Sequence, residues 1–520
     1  MNRYQMLKRV TDSPLHRFGV IIIGGGATGL GAAVDAAARG HNVLLVEQGD
    51  FANGTSSRST KLIHGGLRYL KQGNISLVLE ALRERGLLCK NAPHLIRHRS
   101  FLVPNYKWWE GPFYGIGLKI YDMMAGKLGL APSKHLSYEE TIKKIPTLVT
   151  EGLRGATLYY DGQFDDARLA IALAQTAADK GATLLNYMQV TGFVKRKDVV
   201  KGVIVKDQLT GREHTIQGRV VVNATGVFCD QMRKLDDPQV SNLITLSQGI
   251  HLVLDKSFLP TDTAIMVPHT DDGRVLFMVP WYDKVLVGTT ETSIKELSLE
   301  PRAFSEEVDF LLKHAAQYLS KRPTRDDVRS VFAGLRPLIR KETAQDTASI
   351  SREHAVTVSP SGLVTIAGGK WTTYRKMGKD VIDLVQTVGE FNEIASTTEN
   401  LSLYGYSTGI RPDDKLAVYG SEANNILSLI KSDPHLQDFI HPNLPYYLAE
   451  VVWHVRHEMA MTLEDVLARR TRALFLDAKA SIEAAPKVAE VMSHEFGHNS
   501  CWQEEQVEQY TQLAKGYTLT

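Results

Sequence analysis

The sequence predicts an α/β protein: a Rossmann-like dinucleotide-binding domain, an antiparallel-sheet domain and an α-helical cap at the C-terminus. Residues 18–47, FGVIIIGGGATGLGAAVDAAARGHNVLLVE, read as strand, phosphate-gripping turn, helix and second strand. Residues 246–292 change texture to alternating strands, IHLVLD, AIMVPH, RVLFMVPW and KVLVGTT, with Asp272-Gly273 as a hairpin turn. Residues 411–520 are charged and helix-like. A chain of 520 residues with 43% hydrophobic content can bury a large core, and its length fits two or three domains.

The first unit is built from residues with separate mechanical tasks. Phe18 to Ile23 is apolar and β-branched, so a buried parallel strand is expected. Gly24, Gly26 and Gly29 fit G-x-G-x-x-G: the first allows a tight turn, the second lets backbone approach a pyrophosphate, and the third lets the helix lie close to the sheet. Ala27 and Thr28 complete the turn. The Ala-rich run from Leu30 to Arg39 stops at Gly40, and its N-terminus offers N–H groups to phosphate. Glu47 ends the second strand, where a carboxylate accepts a ribose hydroxyl and disfavours a 2′-phosphate. FAD and NAD both remain open on this reading.

Charge and cysteines narrow the class. A net charge of +2 gives no bulk drive toward nucleic acid or an anionic surface, so none of the former is expected as a partner. Cys89, Cys229 and Cys501 are odd in number and far apart, which argues against a disulfide framework and against CxxC metal motifs; a reducing cytoplasm fits. Residues 1–17 lack the apolar core of a secretory signal and are expected to form a frayed or surface-docked arm. No segment reads as membrane-spanning.

Further along, residues 51–61 are rich in hydroxyls that can bond phosphate or ribose, among them Thr55, Ser56 and Ser57. Leu62-Ile63-His64-Gly65-Gly66-Leu67-Arg68-Tyr69 follows, with His and Arg flanking a Gly-Gly pair where the dinucleotide must pass. Residues 75–90 have a helical pattern whose charges, Glu80, Arg83, Glu84 and Arg85, are assigned to a wet face. Phe113, Ile116, Ile120, Met124 and Leu128 then recur at helical spacing, so a core helix is expected. The alternative is a membrane-interface helix, carried by Trp108, Trp109, Lys119 and Lys127. A second helix is expected over 167–180 and a strand over 183–190. Another strand over 219–222 ends in Asn223-Ala224-Thr225-Gly226, small enough for close approach to a dinucleotide. After a strand at 363–366, Gly368-Gly369-Lys370-Trp371-Thr372-Thr373 opens a helix whose apolar positions Met377, Val381, Leu384, Val385 and Val388 are spaced for burial. Residues 396–400 read as a linker. Thr462 and Asp465 resemble a helix cap with its reciprocal acid, and no catalytic constellation is seen beyond the linker.

GGGATGLGAAVDAAARG, GTSSRSTKLIHGGLRYLKQG, DDARL, VNATGVFCDQ, GIHLVLD, AGLRPLI, ISREH, AGGKWTTYRKMG and EDVLARRTRALFLD together resemble the FAD-dependent, membrane-associated glycerol-3-phosphate dehydrogenase family over nearly the whole chain. The resemblance implies an FAD-binding domain of the glutathione-reductase/D-amino-acid-oxidase type. It is expected to comprise residues 18–91, 158–245 and 355–392. Residues 92–157 and 246–354 would form the substrate-binding domain and 396–520 the helical domain.

Gly24, Gly26, Ala27, Thr28, Gly29 and Glu47 would then hold the adenosine half of FAD, with Thr55, Ser56 and Ser57 near the pyrophosphate. Lys61, Leu62, His64, Gly65, Gly66, Ala224, Thr225, Gly226, Gly368, Gly369, Lys370, Trp371 and Thr372 complete the expected cofactor contacts. Arg68, Tyr69, Arg336, Arg352, Lys370 and Thr373 would face the substrate. The chain departs from the family at Glu291, where Asp is usual, and at Val227, where Pro is usual; the first keeps the charge and the second loosens a turn beside the cofactor.

The implied reaction is oxidation of sn-glycerol 3-phosphate to dihydroxyacetone phosphate by hydride transfer to flavin N5. Electrons would pass to a membrane quinone, in a cytoplasmic protein held peripherally on the inner face of the cell membrane; a homodimer is compatible with this. A base is needed for the alcohol proton, and His251 is favoured over His64. Gly368-Gly369 before a helix, with Lys370, can place positive potential at the flavin. Arg336, Arg352 and Arg68 are candidate guanidinium forks for phosphate, their division of labour left open. The competing readings are a glycerophosphate oxidase using O2 and a non-catalytic flavin-binding interaction protein. A subunit passing electrons to iron–sulfur partners is disfavoured, since no Cys-rich module is present.

Overall fold

The computed structural model describes residues 1–12, 17–66, 74–340, 354–409 and 414–519, without the side chain of Lys127. A short helix, α1 (Arg3–Thr11), opens the chain. It is a docked arm: Met6 is buried, and Arg3 pairs with Asp207 at 2.9 Å.

The dinucleotide unit follows as β1 (Arg17–Ile23), α2 (Ala27–Ala38) and β2 (Val43–Val46). Both strands are parallel neighbours, Val20 opposite Val43 and Ile23 opposite Val46. A Cβ on Gly29 would lie 1.9 Å from the Gly24 carbonyl oxygen, so only glycine lets α2 start this close to the strand end. Next come β3 (Leu62–Ile63), α3 (Ile75–Asn91), β4 (Ile96–Asn105) and α4 (Glu110–Ala125). They are followed by β5 (Lys134–Leu136), α5 (Tyr138–Lys144), β6 (Gly155–Phe164) and α6 (Asp166–Asp179). The run β7 (Thr183–Leu185), β8 (Met188–Arg196), β9 (Val199–Asp207) and β10 (Glu213–Asn223) precedes α7 (Cys229–Asp236).

The middle of the chain supplies β11 (Ile244–Asp255), β12 (Ala264–Val267), β13 (Leu276–Trp281), β14 (Lys284–Gly288) and β15 (Thr292–Ser293). Then come α8 (Ser305–Tyr318), β16 (Val328–Ile339), β17 (His354–Val358), β18 (Val364–Gly368) and α9 (Tyr374–Val388).

Two large sheets result. In the first, the order β17-β18-β10-β1-β2-β7 is parallel from β18 to β7, with β9 paired antiparallel to β10 and β8 to β9. Its strands read as continuous apolar runs because α2, α6 and α9 share a core with them. The second sheet, β15-β11-β14-β13-β12-β4-β6-β3 with β16 and β5 alongside, is antiparallel except where β12 meets β4. Alternation over 246–292 therefore marks the strands as expected, and Gly273 turns between β12 and β13 at φ +75°.

The C-terminal part is helical: α10 (Ala423–Ser432), α11 (Leu448–His457), a π-helical turn at Asp465–Arg470, α12 (Ala473–Leu476), α13 (Ala478–Phe496) and α14 (Ser500–Lys515). A small hairpin, β19 (Phe439–His441) with β20 (Leu444–Tyr447), interrupts it. Asp465 accepts from the Thr462 backbone N–H at 3.0 Å and donates its own N–H to Thr462 Oγ1 at 3.3 Å, so the cap forms as its residues suggest.

Three expectations are corrected. Glu84 and Arg85 are buried rather than wet, because Arg375 and Asp161 meet them from other elements. The apolar stripe of α4 is not core: Ile116 is 64% exposed and Phe113 51%, since α4 buries Leu118, Tyr121 and Ala125 on its other side. Residues 396–400 are no free linker, for Thr398 is buried and its hydroxyl donates to Asp35 at 3.2 Å. Among the described residues, no helix is long and apolar enough to cross a membrane.

Candidate active site

The ends of β1, β2, β10 and β18 open onto one cleft that runs from the G-x-G-x-x-G turn to the face of the second sheet. At the near end Gly24, Gly26, Ala27 and Thr28 line it. Gly26 is the N-cap of α2 and has no side chain to close the first turn, so the positive end of the helix faces the cleft, an arrangement suited to an anion. Ser56 steadies this turn by accepting from the Ala27 N–H at 2.9 Å.

Glu47 lines the same end, its carboxylate accepting from the Gly25 N–H at 2.7 Å and the Gly49 N–H at 2.9 Å. Burial raises its pKa, and the two N–H groups oppose that rise. Gln48, Gln189 and Gln231 share this part of the lining.

The middle of the cleft is lined by Thr55, Ser56, Leu62, His64, Ala224, Thr225, Gly226 and Val227. Valine at 227 has not opened the turn: Gly226–Phe228 closes as a 3-10 helix, with the Phe228 N–H donating to the Thr225 carbonyl at 3.0 Å. Glu291 Oε2 lies 3.9 Å from Arg274 Nε, and the same guanidinium donates to the Glu291 carbonyl at 2.7 Å. Trp371 Nε1 donates to the Ser56 carbonyl at 2.9 Å, tying the helix-opening segment to the hydroxyl run.

Gly368 and Gly369 both adopt left-handed backbone, φ +78° and +80°. That explains the pair: two successive positive φ values turn the chain at the end of β18, and an L side chain would be strained at either. Lys370, Trp371 and Thr372 then line the cleft.

At the far end stand His251 and Arg336, brought together by the pairing of β11 with β16. Arg336 donates to the Gln248 carbonyl at 3.3 Å, Thr289 Oγ1 at 2.9 Å and the Thr290 carbonyl at 3.1 Å. Those acceptors are themselves fixed: Glu307 accepts from Gln248 Nε2 and Thr290 Oγ1, each at 2.9 Å. His251 is buried with Nε2 2.9 Å from Thr60 Oγ1. Burial first, then the charges of Lys61 and Arg336, hold its pKa well below the ordinary histidine value, so the ring is neutral.

Several expected contacts lie behind this lining. Lys61 is turned from the cleft because its Nζ is held by Asp166 at 2.6 Å and the Ser57 carbonyl at 2.7 Å. Gly29 packs the helix start against the strand. The Ser57 side chain is buried; Gly65 gives its N–H to Tyr121 Oη at 2.7 Å, and Gly66 sits beside it outside the lining. Thr373 is buried and donates to the Lys370 carbonyl at 3.2 Å. Arg68, Tyr69 and Arg352 lie outside the described residues.

Residue reading alone missed Thr60 as the partner of His251. It also missed the C-terminal guanidinium cluster that grips the cofactor-side segments. Arg470 binds Asp50 at 2.5 and 2.9 Å, and Arg472 reaches the Ser57 carbonyl at 2.7 Å. The signal was present in DVLARRTRALFL, where arginines sit among apolar residues and so demand buried partners.

Comparisons with known proteins agree with this geometry. Residues 19–375 match the family model FAD dependent oxidoreductase, and residues 396–507 match the C-terminal domain of alpha-glycerophosphate oxidase. The chain is 38% identical to the mitochondrial glycerol-3-phosphate dehydrogenase of Mus musculus, over 98% of this chain and 75% of that one. It is 39% identical to the mitochondrial glycerol-3-phosphate dehydrogenase of Arabidopsis thaliana, over 96% and 86%. The structure of glycerol-3-phosphate dehydrogenase from Bacillus halodurans complexed with FAD matches with a TM-score of 0.81 at 30% identity, covering 99% of this chain and 97% of that one. With a glycine turn, an uncapped helix start and a cleft that continues to a histidine and cations, the chain belongs to the FAD-dependent glycerol-3-phosphate dehydrogenase family, and its cofactor is FAD.

Proposed function

We propose that this protein oxidises sn-glycerol 3-phosphate to dihydroxyacetone phosphate and passes the electrons to a membrane quinone. The observation that carries the reading is one cleft joining the dinucleotide turn to His251, Arg336 and Lys370, in a chain alike over nearly its whole length to glycerol-3-phosphate dehydrogenases. Bound FAD supplies the two-electron acceptor. Neutral His251 has a lone pair for the alcohol proton. Arg336, held by Gln248, Thr289 and Thr290, whose neighbouring side chains Glu307 anchors, brings a fixed positive charge toward the anionic substrate, with Lys370 adding to it. The helix start after Gly368-Gly369 adds a positive dipole end at the cofactor.

The membrane part of the proposal rests on α4. Trp108 is 77% exposed and Met123 76%, in line with exposed Phe113, Ile116 and Ile120, while Lys107 and Lys119 are exposed beside them. Tryptophan and lysine around an apolar face suit the headgroup boundary, where a quinone is dissolved. We place the protein on the cytoplasmic side, attached peripherally through this face.

Anaerobic addition of glycerol 3-phosphate to the FAD-loaded protein should bleach the flavin. A soluble quinone analogue should restore its colour with little oxygen uptake. Unchanged colour with ligand bound rejects the oxidation; oxygen uptake as fast as quinone reduction moves the acceptor to oxygen. Arg336→Lys should lose about 100-fold in kcat/KM, because an ammonium loses the Gln248, Thr289 and Thr290 bonds that fix the charge, and keep its FAD. Equal loss of flavin would make the arginine structural instead.

A further inference from the structure

The oxidation proposed above must deliver a proton to His251, and the packing around that ring restricts the route. An imidazole nitrogen has a single in-plane position for a proton or a lone pair. At Nε2 this position is filled by Thr60 Oγ1, 2.9 Å away. Nδ1 is buried and has no hydrogen-bond partner among the described residues. One ring face is stacked on Phe332, with centroids 5.0 Å apart and planes at 18°. The ring also presses on β14, where a Cβ added to Gly288 would lie 2.2 Å from Cδ2.

Thr60 is placed differently. It is half-buried, lines the cleft, and so touches both the imidazole and the space for substrate. Its neighbours are clamped on either side: Ser59 donates its N–H and Oγ–H to Asp166 at 3.0 and 2.7 Å, and Lys61 binds the same carboxylate. Arg472, from the C-terminal part, holds the Ser57 carbonyl at 2.7 Å. The hydroxyl at 60 is therefore positioned by backbone that cannot drift.

Resting on the proposed oxidation, we propose that Thr60 is a catalytic proton relay between the substrate alcohol and His251. The alcohol O–H breaks as a new H–Oγ1 bond forms at Thr60; the original Oγ1–H breaks as Nε2–H forms. The carbinol hydrogen leaves with its electron pair to bound FAD, and the carbon becomes a carbonyl. Thr60 ends with its hydroxyl intact, and the proton on Nε2 passes back through that same hydroxyl to solvent in the cleft once the product has left. A threonine hydroxyl suits the task because it accepts and donates at once.

The test is rapid-mixing measurement of flavin reduction by glycerol 3-phosphate in the FAD-loaded full chain and in Thr60→Val and Thr60→Ser. Valine keeps the shape without the hydroxyl and should slow reduction by at least about 100-fold at unchanged FAD content, while serine should stay within about tenfold. The residual rate of the valine variant should rise with pH over a range where the parent is flat, since hydroxide must then take the proton. Reduction in the valine variant as fast as in the parent overturns the relay, as does equal slowing in both variants with the parent's pH profile. If the valine variant fails to hold FAD, the parent decides: its reduction rate in mixtures of light and heavy water should curve, as when two protons move together. A straight line overturns the relay. Failure of the parent itself to bleach would instead bring down the oxidation.

Discussion

Two neighbouring helices exchange the environments their residues suggest. Helix α3 carries Glu84 and Arg85, which belong in water by type, and both are buried. Helix α4 carries Phe113, Ile116 and Ile120, which belong in a core by type, and all are exposed. The difference lies in what other elements bring. Arg375 of α9 donates to Glu84 from Nε at 2.8 Å, and Arg85 meets Asp161 of β6 at 2.7 Å. Nothing comparable among the described residues covers the outer face of α4, so it stays exposed. Hydrophobic spacing identifies a face; its cover is set by tertiary structure.

Breaking the charged side of this contrast should have the largest effect. Arg85→Met would leave the Asp161 carboxylate buried with only Tyr121 Oη at 2.8 Å and backbone for company, and should cost about 3–5 kcal/mol in unfolding by denaturant with FAD saturating. Arg85→Met with Asp161→Leu should recover much of that loss, since an apolar pair avoids the unpaired charge. The single change reaches the cleft as well. Tyr121, bonded to Asp161, accepts the Gly65 N–H beside His64, so the same variant should slow flavin reduction. If the double variant is no more stable than the single one, the pair is not the reason Arg85 is buried.

The same contrast explains how much the sequence discloses. Gly24 to Glu47 works within one βαβ unit, where spacing and residue type determine nearly everything, and it folds as its residues suggest. The strands over 246–292 are equally local, their period of two visible without a partner. The site is legible where it is a motif, as in Gly368-Gly369-Lys370. It is illegible where it is a meeting: Thr60 reaches His251 across 191 positions, and Arg472 reaches Ser57 across 415. Lys61 misleads for the same reason. A lysine beside a phosphate-binding run suggests a ligand contact, and Asp166, far along the chain, claims it.

A second charged seam sharpens the comparison by pH. In the C-terminal part His454 bonds Tyr419 Oη at 2.7 Å, Glu450 bonds the same hydroxyl at 2.8 Å, and Arg168 grips Glu458 at 2.7 and 2.8 Å. Burial pulls His454 down to about 3 and His94, nearby, down to about 4, so both stay neutral in the folded chain. Each contributes stability at neutral pH that fades as pH falls below the usual 6.5. Glu450 has the opposite sign: burial lifts it to about 7, and its contribution fades as pH rises from 4.5 through that value. Burial also opposes ionisation of Glu458, but Arg168 prevails and holds it at about 2, so its contribution is lost as pH falls from 4.5. Melting temperature should therefore decline gently from pH 6.5 to 4.5, where Glu450 offsets one histidine, and steeply below. His454→Gln should flatten the upper part of that curve. A decline no steeper below 4.5 than above it would remove both the Glu450 offset and Glu458 from the balance.

The apolar side of the contrast should respond least in stability and most in location. Ile116→Asp changes an exposed position that holds no core contact, so unfolding should shift by no more than about 0.5 kcal/mol and FAD should remain bound. Flotation with vesicles containing anionic lipid should nevertheless fall sharply. The charge is driven into the lipid boundary, and one hydrophobic anchor among Trp108, Phe113, Ile120 and Met123 is lost. Lys119→Glu, on the same helix, should weaken flotation only at low salt, because its attraction to the surface is screened within about 10 Å at 0.1 M. Equal flotation of the parent and Ile116→Asp would mean that α4 faces something other than lipid, and a fall in stability of several kcal/mol would mean that its stripe is covered in solution after all.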